Sequence, residues 1–405
     1  MRILLGTVNI ASQLGEMKRS FEELGHEVSI YLNDFPHVNL LGSDYSDIAA
    51  NHLPGWVRRN LFDGTSSFWL KALRKPFSDY RKSLIANVTK KNLDSLINDH
   101  DLFIFIWDSL LPDYSDLEKI RSAGKKIIFI FCGDDVRWFF ASKQEFESLG
   151  MHPIEYDSSY FYGKRGLEFR LKRIAFAERY ANLIYSKREQ AQLQSRPFFH
   201  WRMTVDPFEY PVGDFHSRNV PLIVHAPSNQ AVKGTKYVMR AIENLKKRNV
   251  HFNFKLIQNM NAGEVRKILQ QADLVIDQLF IPGGGRLTTE SLSVGAEVMT
   301  YMNYGIYDQG IGYQRQPLCP ILDAGIDNIE NRLYEFIETF SQASSKAHLN
   351  NHYVKEHLDV RKICHQMLCH LEEPNPVYEY IPYFYQKSFI PESKVAEKLY
   401  RKYLG

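Results

Sequence analysis

"PLIVHAPSNQAVKGTKYVMRAIENL", residues 221–245, decides how the chain is read. It opens on a short apolar run and passes through small and polar residues to Lys233-Gly234-Thr235. It then closes with Val238, Ile242 and Leu245 at helical spacing. A buried strand followed by an amphipathic helix is the βα unit of a parallel sheet. Lys233 falls where the helix should start. A helix start carries unpaired N–H groups and about half a positive charge, so it is a seat for an anion. The plainer reading is a solvated loop lysine beside a turn glycine.

The same alternation continues on both sides. Downstream come a strand over residues 252–258, a helix over 262–272, a strand over 273–280, a helix over 285–295 and a strand over 297–302. Upstream, residues 2–9 read as a buried strand, 15–24 as a helix and Glu27–Leu32 as a second strand. Apolar strands follow at 101–107, 126–131 and 181–187, with a helix over 113–124 that ends at Gly124. Residues 196–221 are rich in proline, aromatic and polar side chains without a period, and read as the domain connection. The expected fold is α/β with two doubly wound units: residues 1–205, residues 206–375, and a C-terminal segment 376–405 carrying a last helix. Ligands of such sheets bind beyond the C-terminal strand ends, so two units that face each other form a cleft.

Totals set limits on partners. A chain of 405 residues is too long for one ordinary core. A net charge of only +3 argues against nucleic acid as a partner. The N-terminal run lacks the apolar core of a secretion signal, and no window is long and apolar enough to span a bilayer. A cytoplasmic protein is therefore expected, with its four cysteines reduced. Between residues 54 and 75, large aromatics alternate with arginine and lysine. That composition suits either a packed domain helix or a segment lying on the inner face of a membrane.

Further candidate chemistry falls at the strand ends. Gly283-Gly284-Gly285 lies between a strand and a helix, where backbone amides can approach a ligand closely. Arg286, Leu287, Thr288 and Thr289 follow in the helix's first turn, and their donors suit diphosphate oxygens. Glu290 is placed to accept ribose hydroxyls. Lys233, Asn229 and the glycine turn belong to one sheet, so they should emerge on one edge. Asn9, Ser12 and Gln13 follow the first strand and face the same cleft. Their loop is not G-x-G-x-x-G, which argues against a nicotinamide or flavin site. Asp134, Asp135 and Arg137, with Asp108 on the preceding strand, are candidates to hold or deprotonate an acceptor hydroxyl. An Asp–Arg pair that only fixes the loop is the structural alternative. Asp99-His100-Asp101 precedes its strand and lies at the wrong end for a metal site. The histidines and cysteines of "CHQMLCH" (residues 364–370) have no zinc-like spacing.

Taken together, "HAPSNQAVKGT", "ADLVIDQL…GGG…TTESLSVGAEVMTYM" and "CGDDVR" resemble the GT-B glycosyltransferases, family 4-like enzymes in particular. The likeness is strongest over residues 221–305. It implies a nucleoside-diphosphate sugar held by the second domain, with no metal and no cofactor other than the donor. Lys233 matches the family's diphosphate lysine, and Glu290 matches the second glutamate of its E-x7-E motif. The first glutamate falls at Pro282, and a basic residue often found before the lysine is Gln230. Asp277-Gln278 occurs in some relatives. The resemblance also implies a last helix that returns to the first domain, retention at the anomeric carbon, and a polysaccharide or lipid-linked acceptor. A nucleotide-sugar epimerase and a non-catalytic binding protein are the alternatives on this architecture.

Overall fold

A computed structural model describes residues 1–10, 13–32, 68–154, 163–213, 219–258, 260–303, 320–340, 346–380 and 391–404. The first lobe runs β1 (Arg2–Thr7), α1 (Gln13–Glu23), β2 (Glu27–Leu32), α2 (Phe68–Asp99), β3 (Leu102–Ile106), α3 (Ser115–Ser122), β4 (Lys126–Ile130), α4 (Phe139–Ser148), α5 (Lys164–Tyr180), β5 (Leu183–Ser186) and β6 (Phe199–His200). Its six strands are parallel, in the order β2-β1-β3-β4-β5-β6. Strand order reverses between β1 and β3, which opens a crevice at their C-terminal ends.

Apolar side chains sit on both faces of each strand, because helices cover both faces of a parallel sheet. Phe103, Phe105 and Phe129 enter one layer of core, while Leu102, Ile104, Ile106, Ile128 and Ile130 enter the other.

The second lobe repeats the plan with β7 (Leu222–His225), α6 (Gln230–Lys233), α7 (Thr235–Lys247), β8 (Asn253–Leu256), α8 (Ala262–Leu269), β9 (Leu274–Ile276), α9 (Arg286–Val294), β10 (Glu297–Thr300) and β11 (Ile321–Asp323). The strand order is β11-β10-β9-β7-β8, again all parallel. Ile223, Leu274 and Ile276 pack under α7, and Val224, Val275 and Val298 pack on the opposite face.

Helices α10 (Ile329–Phe340) and α11 (Ala347–His357) complete this lobe, and α12 (Val360–Glu372) and α13 (Lys394–Tyr403) end the chain. Two boundaries differ from the sequence expectation. The return to the first lobe begins with α12, not at residue 376: Val360, Ile363, Cys364, Met367 and Leu368 bury against α1 in the first lobe's core. Residues 196–221 are not purely a connection, because β6 adds a short edge strand to the first sheet. α13 then packs on α5 and puts Ala396 and Leu399 into the same lobe. Of the aromatic and basic stretch 54–75, residues 54–67 lie outside the described residues and 68–75 open the backbone of α2. Among the described residues, no helix is long and apolar enough to cross a membrane.

Candidate functional site

The helix expected at Lys233 begins earlier. Asn229 accepts from the amides of Ala231 and Val232 and so starts the single turn of α6. Gly234 then breaks the turn at φ 76°, and α7 starts one residue later. No other residue fits Gly234 well: the φ is left-handed, and a Cβ would stand 3.1 Å from that of Leu279. The break leaves the Lys233 side chain over the end of β9. Its ammonium donates to Asp277 Oδ1 at 2.5 Å and to Gln278 Oε1 at 3.0 Å.

Asp277 is fully buried and also accepts from the Gly285 amide (2.9 Å) and the Thr288 hydroxyl (2.7 Å). Burial alone would raise its pKa, but Lys233 and these donors outweigh it and hold the carboxyl below its ordinary value. Gln278 ties down the glycine turn by donating to the carbonyls of Gly283 (2.6 Å) and Ile281 (3.1 Å). A Cβ on Gly285 would stand 3.1 Å from both the Lys233 ammonium and Asp277 Oδ2, so a side chain there would crowd that pair. Beneath this floor, His225 bonds the Ile276 carbonyl through Nδ1 and the Thr235 hydroxyl through Nε2. Burial lowers its pKa and keeps it neutral. The structure thus gathers Lys233, Gln278, Gly284, Gly285 and Thr288 around Asp277. Sequence reading gave Asp277 only a minor part, although a carboxylate ending a buried strand beside three glycines was a visible signal.

Arg286 and Glu290 form a second cluster on the side that meets the first lobe. The Arg286 guanidinium donates to both oxygens of Glu16 in α1, at 2.8 and 2.5 Å. It also donates to the Thr204 carbonyl, to Glu290 Oε1 (2.8 Å) and to the Tyr210 hydroxyl (3.3 Å). All of its N–H groups therefore have partners. Tyr210 donates in turn to Glu290 Oε1 at 2.9 Å. Glu16 is buried, which raises its pKa, and Arg286 partly offsets that rise. Sequence reading did not find Glu16, since its partner lies 270 residues away. Thr289 donates to the Met203 carbonyl (2.6 Å), and Leu287 packs against the second lobe's core. In the first loop, Asn9 accepts from the Leu14 amide (3.2 Å), and Gln13 is buried with its amide 3.5 Å from the Met203 sulfur. Ser12 lies outside the described residues.

At the first lobe's strand ends the carboxylates turn inward. Asp135 is fully buried and accepts from the amides of Cys132 (3.1 Å) and Gly133 (2.6 Å). Burial raises its pKa to about 6, even with Arg173 nearby to oppose the rise. Arg173 donates to the Asp135 carbonyl (2.7 Å) and to Asp108 (2.9 Å), and Arg137 donates to Asp134 (2.9 Å). Each candidate acid therefore braces a loop. Lys187, just past β5, reaches over to the second lobe and donates to the Gly284 carbonyl at 3.3 Å. The two set-aside motifs have structural uses. Asp101 pairs with Arg2 at the opposite sheet edge (3.1 Å), and His370 stacks on Phe199 with ring centres 3.8 Å apart.

No protein-family model matches the chain, and no curated protein matches it. Solved structures do. A sucrose-phosphate synthase from Thermosynechococcus elongatus superposes with a TM-score of 0.52 over 91% of this chain and 98% of that one, at 10% identity. The catalytic domain of starch synthase IV from Arabidopsis thaliana, bound to ADP and acarbose, superposes with a TM-score of 0.51 over 91% and 97%, at 12% identity. Two parallel sheets with their helices, arranged as in these proteins over nearly the whole length, give this chain the GT-B fold.

Proposed function

We propose that the protein is a glycosyltransferase that moves a sugar from a nucleoside diphosphate to an acceptor hydroxyl. Fold alone does not carry function. The observation that supports the reading is the Lys233 ammonium held beside Gly285 at the cleft edge of the second sheet. Among the described residues, two of its three N–H groups are used, and the third is open to an anion. The two neighbours above work in the same direction: one is named a sucrose-phosphate synthase, and the other is bound to ADP and a saccharide.

In this reading the bond from the anomeric carbon to the diphosphate breaks through an oxocarbenium-like transition state. Negative charge grows on the departing diphosphate, where Lys233 and the glycine-turn amides are already in place. The acceptor oxygen bonds to the same carbon. It attacks from the face that the diphosphate leaves, which retains the anomeric configuration, and its proton passes to the departing phosphate oxygen. The charge is met by lysine and amides, so the reaction is expected to run without an added divalent ion. Glu290 Oε2 makes no hydrogen bond among the described residues and would accept from the ribose. Arg286, with all its donors used, holds the lobes together and does not serve the diphosphate. Of the acids in the first lobe, Asp134 is the most open, its side chain one-third exposed, and it is the one placed to meet an acceptor hydroxyl. The acceptor is proposed to be a saccharide or a lipid-linked saccharide, reached from the cytoplasm or its membrane face.

A thermal-shift screen against nucleoside diphosphates and nucleotide sugars tests this. At a hundredfold excess over Kd, a true donor should stabilise the fold by about 2.7 kcal/mol. No shift with any of them would refute the reading. Pro282, in place of a carboxylate facing the donor sugar, favours a second reading, a binding protein without turnover. Donor binding with no hydrolysis or transfer would select it.

A further inference from the structure

Lys187 has no role so far beyond one long hydrogen bond. It stands at the cleft end of β5, its side chain only 11% exposed. Of its three N–H donors, one is used among the described residues, on the Gly284 carbonyl of the other lobe at 3.3 Å. The nearest carboxylate, Glu189, is 3.9 Å away, beyond hydrogen-bond reach. A buried cation with so few partners is costly unless something else completes its shell. Lys233 approaches the same peptide from the second lobe, 3.1 Å from where a Cβ on Gly285 would stand. Two ammoniums from different lobes therefore flank Gly284-Gly285. Asp277 is hydrogen-bonded to only one of them. Lys187 is paired with Glu189 only as an ion pair without a hydrogen bond, and an anion with oxygens several ångströms apart would take up its unused donors.

We propose that Lys187 is the first lobe's contribution to the pyrophosphate seat, so that the two phosphates of the donor are gripped by one lysine from each lobe. The inference rests on the donor reading above. It adds a consequence: a diphosphate bridges the lobes, whereas a single phosphate engages Lys233 alone. Lys187 then sets the preference for nucleoside diphosphates over monophosphates and draws the cleft shut around the donor.

Calorimetry with uridine and adenosine di- and monophosphates on the full chain decides it. For whichever nucleoside wild type binds, Lys187→Met should weaken the diphosphate about tenfold to a hundredfold, as expected for lost charged hydrogen bonds. The monophosphate should change by about twofold or less, as expected where a substitution removes no direct contact. Lys187→Arg should recover most of the diphosphate affinity. Lys187→Gln, which keeps a donor for the Gly284 carbonyl without the charge, should behave like the methionine variant and serves if that one folds poorly. Equal diphosphate affinity in the uncharged variants would overturn the proposal. So would an equal loss for both phosphates, the mark of a mere strut. If wild type binds neither diphosphate, the donor reading fails and this inference falls with it.

Discussion

The two strand edges that face each other across the cleft use acids in opposite ways. In the second lobe, the buried carboxylate of Asp277 lies beneath a lysine and holds that cation at the cleft end of the sheet. In the first lobe, the Asp135 carboxylate folds back onto its own loop amides, and Asp134 and Asp108 are held by arginines. One edge is built to display charge, the other to keep a wall rigid. The difference shows that strongly buried acids alone do not locate chemistry here. The useful sign is whether a charge has been left with unused donors facing the cleft.

The sharpest way to break that contrast is to separate the two jobs of Lys233. Lys233→Met should cut donor turnover by at least about a hundredfold, the scale of removing one preorganised electrostatic partner. It should also destabilise the fold by about 3–5 kcal/mol, since it strands a buried carboxylate. Adding Asp277→Asn should restore much of the melting temperature without restoring turnover. If the double variant regains activity, Lys233 is a structural partner of Asp277 and the second lobe is no different from the first.

Both lobes were legible where strands are apolar runs and helices have a stripe. β3, β4, β7 and β9 fall within the segments read from sequence, and α1 and α7 overlap theirs with ends shifted by up to two residues. What failed to show was destination. An amphipathic helix such as α12 says that it covers something, not which lobe it covers, so its entry into the first core could not be read from its pattern. β6 has two residues and no period to detect. The site divides along the same line. The glycine turn and Lys233 are local signals. The bonds to Glu16 and from Lys187 depend on how two separately folded lobes meet.

That meeting supplies the next test. Glu16→Gln removes the charge from the strongest interlobe contact, the paired bond with Arg286, and leaves Glu290 as the arginine's one close carboxylate. The expected cost is about 3 kcal/mol, the scale of one or two charge-assisted hydrogen bonds. Small-angle scattering of the unliganded protein should show a larger radius of gyration as the lobes separate. An unchanged radius with unchanged stability would mean that α12 and α13, not this pair, fix the lobes.

The smallest expected effect falls on the first lobe's wall, and its pH dependence makes it informative. Asp135→Asn keeps one acceptor for the Gly133 amide but turns an N–H group toward that of Cys132, for a loss of about 1–2 kcal/mol near neutral pH. The wild-type carboxyl titrates at about 6 in the fold, against 3.8 ordinarily, because it is buried. A raised folded pKa means that its stabilising contribution is complete below about pH 4 and is lost as pH rises through about 6. Asparagine does not titrate. The stability gap between wild type and variant should therefore be widest below about pH 4, shrink between about pH 4 and 6, and stay level above that, read from urea midpoints at each pH. If Asp135 instead takes a proton from an acceptor as a free, solvent-facing base, its pKa is ordinary. The gap would then stay flat above pH 5, and turnover would collapse in the variant while the fold held.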